Sequence, residues 1–415
     1  MPRHLALLLL AFSAAATAAE PPPFPYPSDL PPQHEALAAI RNAPAGLTAA
    51  AVLSAEAENR QRLEAGPHEW TARLNSQQRR LVPVDERFAE WQLALERGFR
   101  LPGKAALDER LGAQGEAVAR AARNDALHET GRQLLKGWFG WLREKEGLRQ
   151  WQRQSESLTR QRQITGRRVQ LGDAPKLELM QSEAAAAQAE AALEQARLKE
   201  TMAAAELAAR FPRLALPAGL VPSEPLPLEA SDWKQHLLEH DHGLKLARAE
   251  SEQSRLVARR SDAERVPDPS IGVHLGSDRG GEERITGVTL AIPLPGQARE
   301  ATARRDAAYA SAAASKEAGV LARVNGEVAV LLAGASAAYE SWRRAEDAAQ
   351  RMEQAATLMS RAYQLGEAGL SEVLTAQRQA NEARLAAQYS RLEALEKRYQ
   401  VYLDSHVLWP ADTEQ

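Results

Sequence analysis

The chain has 415 residues, of which 26% are charged and only 5% are aromatic, and its formal net charge is −3. The small net charge, without a basic face interleaved with aromatic residues, excludes nucleic acid as an expected partner. The absence of cysteine excludes disulfides, thiolate metal ligands and a lipidated N-terminal cysteine. Long stretches rich in Ala, Glu, Gln, Arg and Leu favour extended helix packing over a thick globular core.

The N-terminus has the pattern of a secretory signal peptide. A weakly basic start precedes the apolar run 5–12, and the small residues 16–18 form an A-x-A cleavage signature. The run is too short to cross a membrane as a helix, and no other segment has about 18 consecutive apolar residues. We predict a signal peptide over 1–19, an extended proline-rich segment over 20–32, and entry into any membrane through strands.

Two segments alternate apolar and polar residues at period two, which predicts β-hairpins. The first covers 67–101 with a polar turn over 77–85, and the second covers 269–295. The residues predicted to form an apolar, lipid-facing side are Trp70, Leu74, Trp91, Leu93, Ile271, Val273, Val288 and Leu290. The polar or small residues predicted to face water are Thr71, Arg73, Gln92, Gly272 and Thr289.

Helical spacing dominates the rest of the chain. A first run begins near residue 33 and is interrupted by Pro44. Each hairpin is followed by a helical run that spans on the order of 100 Å at 1.5 Å per residue. The predicted long and returning helices cover about 104–169, 176–211, 232–265, 297–363 and 370–407, with a linker over 212–230.

The motif Gln-Leu-Gly-Asp/Glu-Ala occurs at 170–174 and again at 364–368, 194 positions later (365 minus 171). A glycine that ends one helix shortly before the next helical run predicts the tip of a helical hairpin. We therefore predict two repeated halves, with tips near 170–175 and 364–369. The halves cover 33–211 and 231–408, followed by a tail over 409–415.

Four strands cannot close a barrel alone, whereas three copies of this chain would supply twelve strands around a lumen. The predicted fold class is mainly α with a small β part. It consists of two repeated halves with long, coiled-coil-like helical hairpins and four transmembrane strands contributed to the 12-stranded barrel of a homotrimer.

Three segments carry a resemblance to the TolC family of outer-membrane factors. They are Val-Pro-Asp-Pro-Ser-Ile-Gly-Val at 266–273, Gly-Val-Thr-Leu-Ala-Ile-Pro-Leu-Pro-Gly at 287–296, and Tyr-Gln-Leu-Gly-Glu-Ala-Gly-Leu-Ser-Glu-Val-Leu at 363–374. The resemblance extends over nearly the whole mature chain, and the strands are most similar to the heavy-metal, cobalt–zinc–cadmium branch. It implies a trimeric outer-membrane exit duct of a tripartite efflux system with an RND-type inner-membrane pump, or of a type I secretion system.

The resemblance also implies roles for the two tips. The residues implied to contact a periplasmic adaptor are Leu171, Gly172, Asp173, Leu365, Gly366 and Glu367. Glu178 and Glu372 stand where family members constrict the channel with charged residues. The alternative for both is a solvated acidic residue favoured at a helix start. Pro175 occupies the position of Gly369 in the second copy, so the first tip is expected to differ in shape.

The sequence supports other classes of function less well. A soluble periplasmic coiled-coil adaptor or scaffold would explain the helices but not two hairpins with apolar faces. No catalytic constellation is evident, so neither an enzyme nor a cofactor is predicted. The segment 236–242 contains three histidines and two acids, and histidines at i and i+4 can share a metal. Because no further ligand is evident elsewhere in the sequence, we predict a polar surface helix and no metal site there.

Overall fold

The computed structural model describes residues 26–229 and 232–410, so the predicted signal peptide lies outside the described residues. The helices are α1 Gln33–Arg41, α2 Pro44–Ala65, α3 Pro102–Gln170, α4 Lys176–Arg210, α5 Trp233–His240, α6 His242–Ala263, α7 Gln297–Gln364 and α8 Leu370–Asp404. The strands are β1 Trp70–Leu81, β2 Glu86–Gly98, β3 Ser270–Asp278 and β4 Glu283–Ala291. The predicted fold class, mainly helical with a small sheet, is confirmed.

Two very long helices form the framework of the chain. α3 has 69 residues and α7 has 68, so each spans on the order of 100 Å. α3 packs against α2 and α6 on the side of the sheet, and against α4 and α8 on the side of the tips. α7 packs against α6 and α8. The result is a four-helix layer, α2–α3–α6–α7 near the sheet and α4–α3–α8–α7 near the tips.

The four strands form one antiparallel sheet in the order β1-β2-β3-β4, so β2 and β3 join the two repeats. The predicted turn over 77–85 is too wide, because β1 continues to Leu81. Gln77 and Arg79 extend the strand through polar partners: both contact the buried carboxylate of Glu90 on β2, at 2.9 and 3.0 Å. The strand was missed there because both of its faces become polar.

The main hydrophobic core lies at mid-length, where α3 meets α1, α8 and the linker. Trp138 and Phe139 of α3 are fully buried, and Tyr399 of α8 lies against Phe139 with ring centroids 5.8 Å apart. The indole N–H of Trp138 donates to the backbone carbonyl of Asp29 at 2.8 Å, which holds the segment before α1 in this core. The linker adds Leu214 to the same cluster.

Two of the helical runs are interrupted, one at Pro44 and one at Asp241. The chain bends by 56° between α1 and α2, at the predicted interruption by Pro44. The helix predicted over 232–265 is wrong as a single element, because it breaks at Asp241. The Asp241 carboxylate accepts a 2.6 Å hydrogen bond from the backbone N–H of Leu244 and so caps α6. An aspartate that can satisfy a free helix N–H competes with continued helix.

One long helix contains an apolar stretch that the sequence pattern did not predict. Within the described residues, α7 contains an 18-residue window with mean hydropathy 1.4, long and apolar enough to cross a membrane by composition, and the bent pair α1–α2 passes the same test. We found no such run because Arg323 and Glu327, an ion pair at 2.8 Å, interrupt it. Only 17% of the window is buried within the chain. Because α7 is far longer than the ~20 residues that span a bilayer, we interpret this window as a surface for packing against other helices.

Candidate functional site: an apolar sheet face and two hairpin tips

The strand register places all eight residues predicted to be lipid-facing on one face of the sheet. Residues directly opposite each other in antiparallel strands share a face. One such row joins Ile271 and Leu290, the next joins Val273 and Val288, and another joins Leu74 and Leu93. All eight side chains are exposed, from 42% for Ile271 to 70% for Val288. An apolar patch of this extent marks a surface for protein or membrane contact.

The opposite face of the sheet is polar. Thr71, Glu96, Gly272 and Thr289 form one row across all four strands. Arg73 forms a 2.8 Å ion pair with Glu96 across β1 and β2. The sheet thus separates an apolar surface from a charged and hydrogen-bonding one.

Two tryptophans mark the ends of the apolar face. Trp70 is the first residue of β1. Trp91 of β2 lies opposite Ser76, which is six residues after Trp70 on β1. At about 3.3 Å per residue the two rows lie on the order of 20 Å apart. The guanidinium of Arg97 lies 5.5 Å from the centre of the Trp70 ring, which makes this end both aromatic and basic.

A charged junction connects the sheet to the helices. The Asp268 carboxylate, just before β3, contacts Lys104 Nζ at 2.8 Å and His68 Nε2 at 2.8 Å, and accepts from the backbone N–H of Leu101 at 3.2 Å. Burial alone would raise the pKa of Asp268, but these donors outweigh it and lower the pKa to about 2. The junction links the two repeats, because Asp268 belongs to the second repeat whereas His68, Leu101 and Lys104 belong to the first.

Both hairpin tips have the hydrogen bonding of a Schellman motif. At the second tip, Gly366 has φ +83°, its N–H donates to the carbonyl of Tyr363 at 3.1 Å, and the N–H of Glu367 donates to Ala362 at 2.9 Å. Gly172 has φ +82° at the equivalent place in the first tip. This left-handed conformation favours glycine. The exposed Leu171 and Leu365 immediately precede these glycines.

The two predicted constriction residues have different surroundings. Glu372 Oε2 accepts a 2.8 Å hydrogen bond from the N–H of Gly369 at the start of α8, which is the acidic half of a capping box, because Gly369 has no side chain to supply the other half. Pro175 has no N–H to donate, so Glu178 has no such partner at the start of α4. Its carboxylate instead accepts a 2.6 Å hydrogen bond from the Tyr363 hydroxyl on the other hairpin. The expected difference between the tips thus extends to their acidic residues.

Tyr363 makes polar contacts with the other hairpin just behind the tips. Arg168 Nη1 lies 2.5 Å from its hydroxyl oxygen, and the guanidinium lies 5.0 Å from the centre of its ring. Burial, followed by the contact with Glu178, raises the pKa of Tyr363 to about 12. The phenol therefore stays protonated and remains a hydrogen-bond donor at neutral pH. Sequence reasoning missed Tyr363 because Val169 stands at the equivalent position of the other repeat.

The histidine-rich segment does not form the polar surface helix that we predicted. His242 is only 4% exposed, and its ring faces His128 of α3 and His406, which follows α8. His236 and His240 form a second group with Glu239. His128 and His406 could not be recognised as neighbours from the sequence, because only the packing of α3 and the C-terminal segment brings them here.

The fold of the chain is similar to that of known outer-membrane proteins, although its sequence is not. No family model matches the chain, and no curated protein matches it in sequence. The chain is similar to the Campylobacter jejuni CmeC outer membrane channel, with a TM-score of 0.74 and 13% identity over 97% of this chain and 94% of that one. It is similar to the open state of the Neisseria gonorrhoeae MtrE outer membrane channel, with a TM-score of 0.72 and 18% identity over 90% and 88% of the two chains.

A third solved structure, the outer membrane protein VceC of Vibrio cholerae, matches with a TM-score of 0.70 and 19% identity over 91% of this chain and 95% of that one. The chain therefore has the fold of these outer-membrane proteins over nearly its whole described length. This is the fold that the resemblance to the TolC family predicted.

Proposed function

We propose that the chain is the outer-membrane exit duct of a tripartite efflux system. Three copies would close a 12-stranded barrel in the membrane and continue it as a helical tube into the periplasm. The observation that carries this proposal is the division of the sheet into an apolar exposed face and a polar face. A transmembrane barrel with a water-filled interior needs that division.

The dimensions of the apolar face support membrane insertion. The Trp70 and Trp91 rows are separated by on the order of 20 Å, close to the ~25 Å apolar band of membrane barrels. Tryptophan favours the headgroup region, where its ring is partly apolar and its N–H can be hydrated. We therefore assign these two rows to the two membrane interfaces.

The unpaired edges of the chain support assembly into a ring. β1 and β4 are the outer strands of the sheet, and open strand edges pair readily with other chains. The helical layer also ends in apolar side chains. α4 exposes Leu198 and Met202 at one edge, and α7 exposes Val330 and Leu358 at the other. A neighbouring copy would cover both kinds of edge at once.

The tips are the proposed docking surface for a periplasmic adaptor, which would connect the duct to an inner-membrane pump. Both tips expose a leucine at the far end of a ~100 Å helix, held in place by the Schellman hydrogen bonds. The acidic residues behind the tips, Glu178 and Glu372, are proposed to constrict the channel. The proposed role is passive transport without catalysis. As cargo we propose heavy-metal cations, on the basis of the strand resemblance.

Localisation and assembly test the proposal directly. Expressed with its leader in a Gram-negative host, the chain should fractionate with the outer membrane, migrate as a trimer before heating, and form ion-conducting pores in planar bilayers. A soluble periplasmic adaptor or scaffold would instead appear as a water-soluble species without conductance. Restoration of metal resistance in a strain that lacks its own exit duct tests the cargo, and export of a polypeptide instead would favour a type I secretion duct.

A further inference from the structure

Three histidines from distant parts of the chain meet at mid-length. His128 lies on α3, His242 is the first residue of α6, and His406 lies two residues beyond α8. Their ring centroids are 4.9 Å apart for His128 and His242, 4.6 Å for His242 and His406, and 5.7 Å for His128 and His406. One ring nitrogen of each lies within 4.8 Å of the other two.

His406 lies in the turn that ends helix α8. It has φ +63°, its N–H donates to the carbonyl of Leu403 at 3.1 Å, and the N–H of Val407 donates to the carbonyl of Tyr402 at 2.9 Å, which is the Schellman pattern of a helix C-terminus. Here the conformation turns the chain after α8 back toward α3 and α6, and brings the imidazole against the other two.

A carboxylate orients one of the three rings. His128 Nε2 lies 3.0 Å from Asp404 Oδ1, and the same oxygen accepts from Arg132 Nε at 2.8 Å. A histidine that donates one ring N–H to a carboxylate presents the other nitrogen, here Nδ1, as a basic ligand atom. Asp125 interacts electrostatically with both His128 and Asp241, so two further carboxylates offset positive charge in this region.

We propose that His128, His242 and His406 bind a divalent transition-metal ion of the zinc class. Three imidazoles with one open position for water are an established ligand set for Zn²⁺. The cavity that these residues line with Trp409 and Pro410 has a volume of about 10 Å³, enough for about one water-sized species. Zn–N bonds of 2.0–2.1 Å in tetrahedral geometry require nitrogens about 3.3 Å apart, so nitrogens that lie within 4.8 Å of one another approach by at most about 1.5 Å on binding.

The ion would fasten the C-terminal segment to the middle of the chain. Its ligands come from α3, α6 and the residues after α8, so the bound metal cross-links elements that are far apart in sequence. This site is distinct from the apolar sheet face and from the tips. It borders the main core at mid-length, since Leu127, Leu403 and Trp409 of that core line the same cavity.

Metal titration of the full chain in detergent tests the assignment. After removal of metals with a chelator, the protein should bind one Zn²⁺ per chain in calorimetry, and Co²⁺ should give the visible absorption of a tetrahedral nitrogen site. Thermal unfolding should shift to higher temperature with Zn²⁺. His406→Gln should abolish the stoichiometric binding, and Asp404→Asn should weaken it about 10- to 100-fold.

His274→Gln provides the matched control, because His274 lies on the sheet, away from the cluster. Circular dichroism and the oligomeric state verify that each variant is folded; if His406→Gln fails to fold, His128→Gln takes its place. Equal Zn²⁺ affinity of wild type and a folded cluster variant would overturn the proposal. So would the absence of stoichiometric binding by the wild type. Loss in the cluster variants with retention in His274→Gln would establish it.

Discussion

The hydroxyl of Tyr363 on α7 donates a 2.6 Å hydrogen bond to the carboxylate of Glu178 on α4, 185 positions earlier in the chain. The bond joins the two helical hairpins directly behind their tip glycines. Hydrogen bonds to charged groups contribute about 1.5–3 kcal/mol when buried, and less where water competes. This hydrogen bond and the packing of Leu374 against the first hairpin together hold the two tips in their relative position.

Removing this bond should loosen the tips. We expect Tyr363→Phe to increase the single-channel conductance in planar bilayers, and a double-mutant cycle with Glu178→Ala to give a coupling of about 1 kcal/mol. Tyr309→Phe is the control, since Tyr309 is an exposed tyrosine of α7 far from the tip. Unchanged conductance in Tyr363→Phe, with the fold retained, would show that this contact does not restrict the channel.

The charge of Glu372 and its hydrogen bond to Gly369 can be tested separately by two substitutions. Glutamine at the same position can still accept the Gly369 N–H, whereas alanine cannot. We expect Glu372→Ala to lower local stability at the start of α8 by about 0.5–1 kcal/mol and Glu372→Gln to preserve it, as measured by hydrogen exchange. If Glu372 also attracts cations in a constriction, Glu372→Gln should reduce cation selectivity. Equal selectivity in wild type and Glu372→Gln would leave only the capping role.

Proline should be poorly tolerated at the two tip glycines, Gly172 and Gly366. Proline fixes φ near −65°, against +83° at Gly366, and removes the N–H that donates to Tyr363. We expect Gly366→Pro and Gly172→Pro to leave trimer insertion intact and to abolish export, and Gly366→Ala to cost about 1–2 kcal/mol at the tip. Gly369→Ala is the control, because Gly369 has φ −87°. Full export by both proline variants would remove the tips from the docking surface.

The two faces of the sheet should respond oppositely to charge. Val288→Arg places a cation on the apolar face, at a cost of about 2–4 kcal/mol if this face lies at the centre of a bilayer. Thr289→Arg, one residue along β4, places the same charge on the polar face and should be tolerated. We expect trimer yield in the outer-membrane fraction to fall for Val288→Arg only. Equal yields would contradict lipid contact by this face.

The Asp268 junction should make stability depend on acid. Because its pKa is about 2 in the folded chain and 3.8 ordinarily, the carboxylate contributes about 2 kcal/mol above pH 4, and this contribution disappears as the pH falls toward 2. Asp268→Asn should therefore lower the unfolding temperature at pH 7 and lose this difference from wild type near pH 2. Asp262→Asn, at an exposed pair with Arg265, should change little.

The sequence predicted features that repeat or alternate, and missed those that depend on distant contacts. The tip glycines could be located because the same motif occurs twice, and the strands because Ile271 and Val273 alternate with small residues. The extension of β1 to Leu81 was missed, since polar pairs with Glu90 leave no hydrophobic period. The break at Asp241 depends on one side chain capping a helix, and the cluster around His406 depends on tertiary packing. Neither produces a periodic signal.

The even number of strands in the sheet determines how its two edges could pair between copies. With four antiparallel strands per chain, β1 and β4 run in opposite directions, so in the proposed ring β4 of one copy would meet β1 of the next in the same antiparallel sense as every pair within a chain. An odd count would force one parallel seam at each junction. The proposed contact would also be head-to-tail, since the two edges are different surfaces, and a contact of this kind either closes into a ring or continues as an open filament.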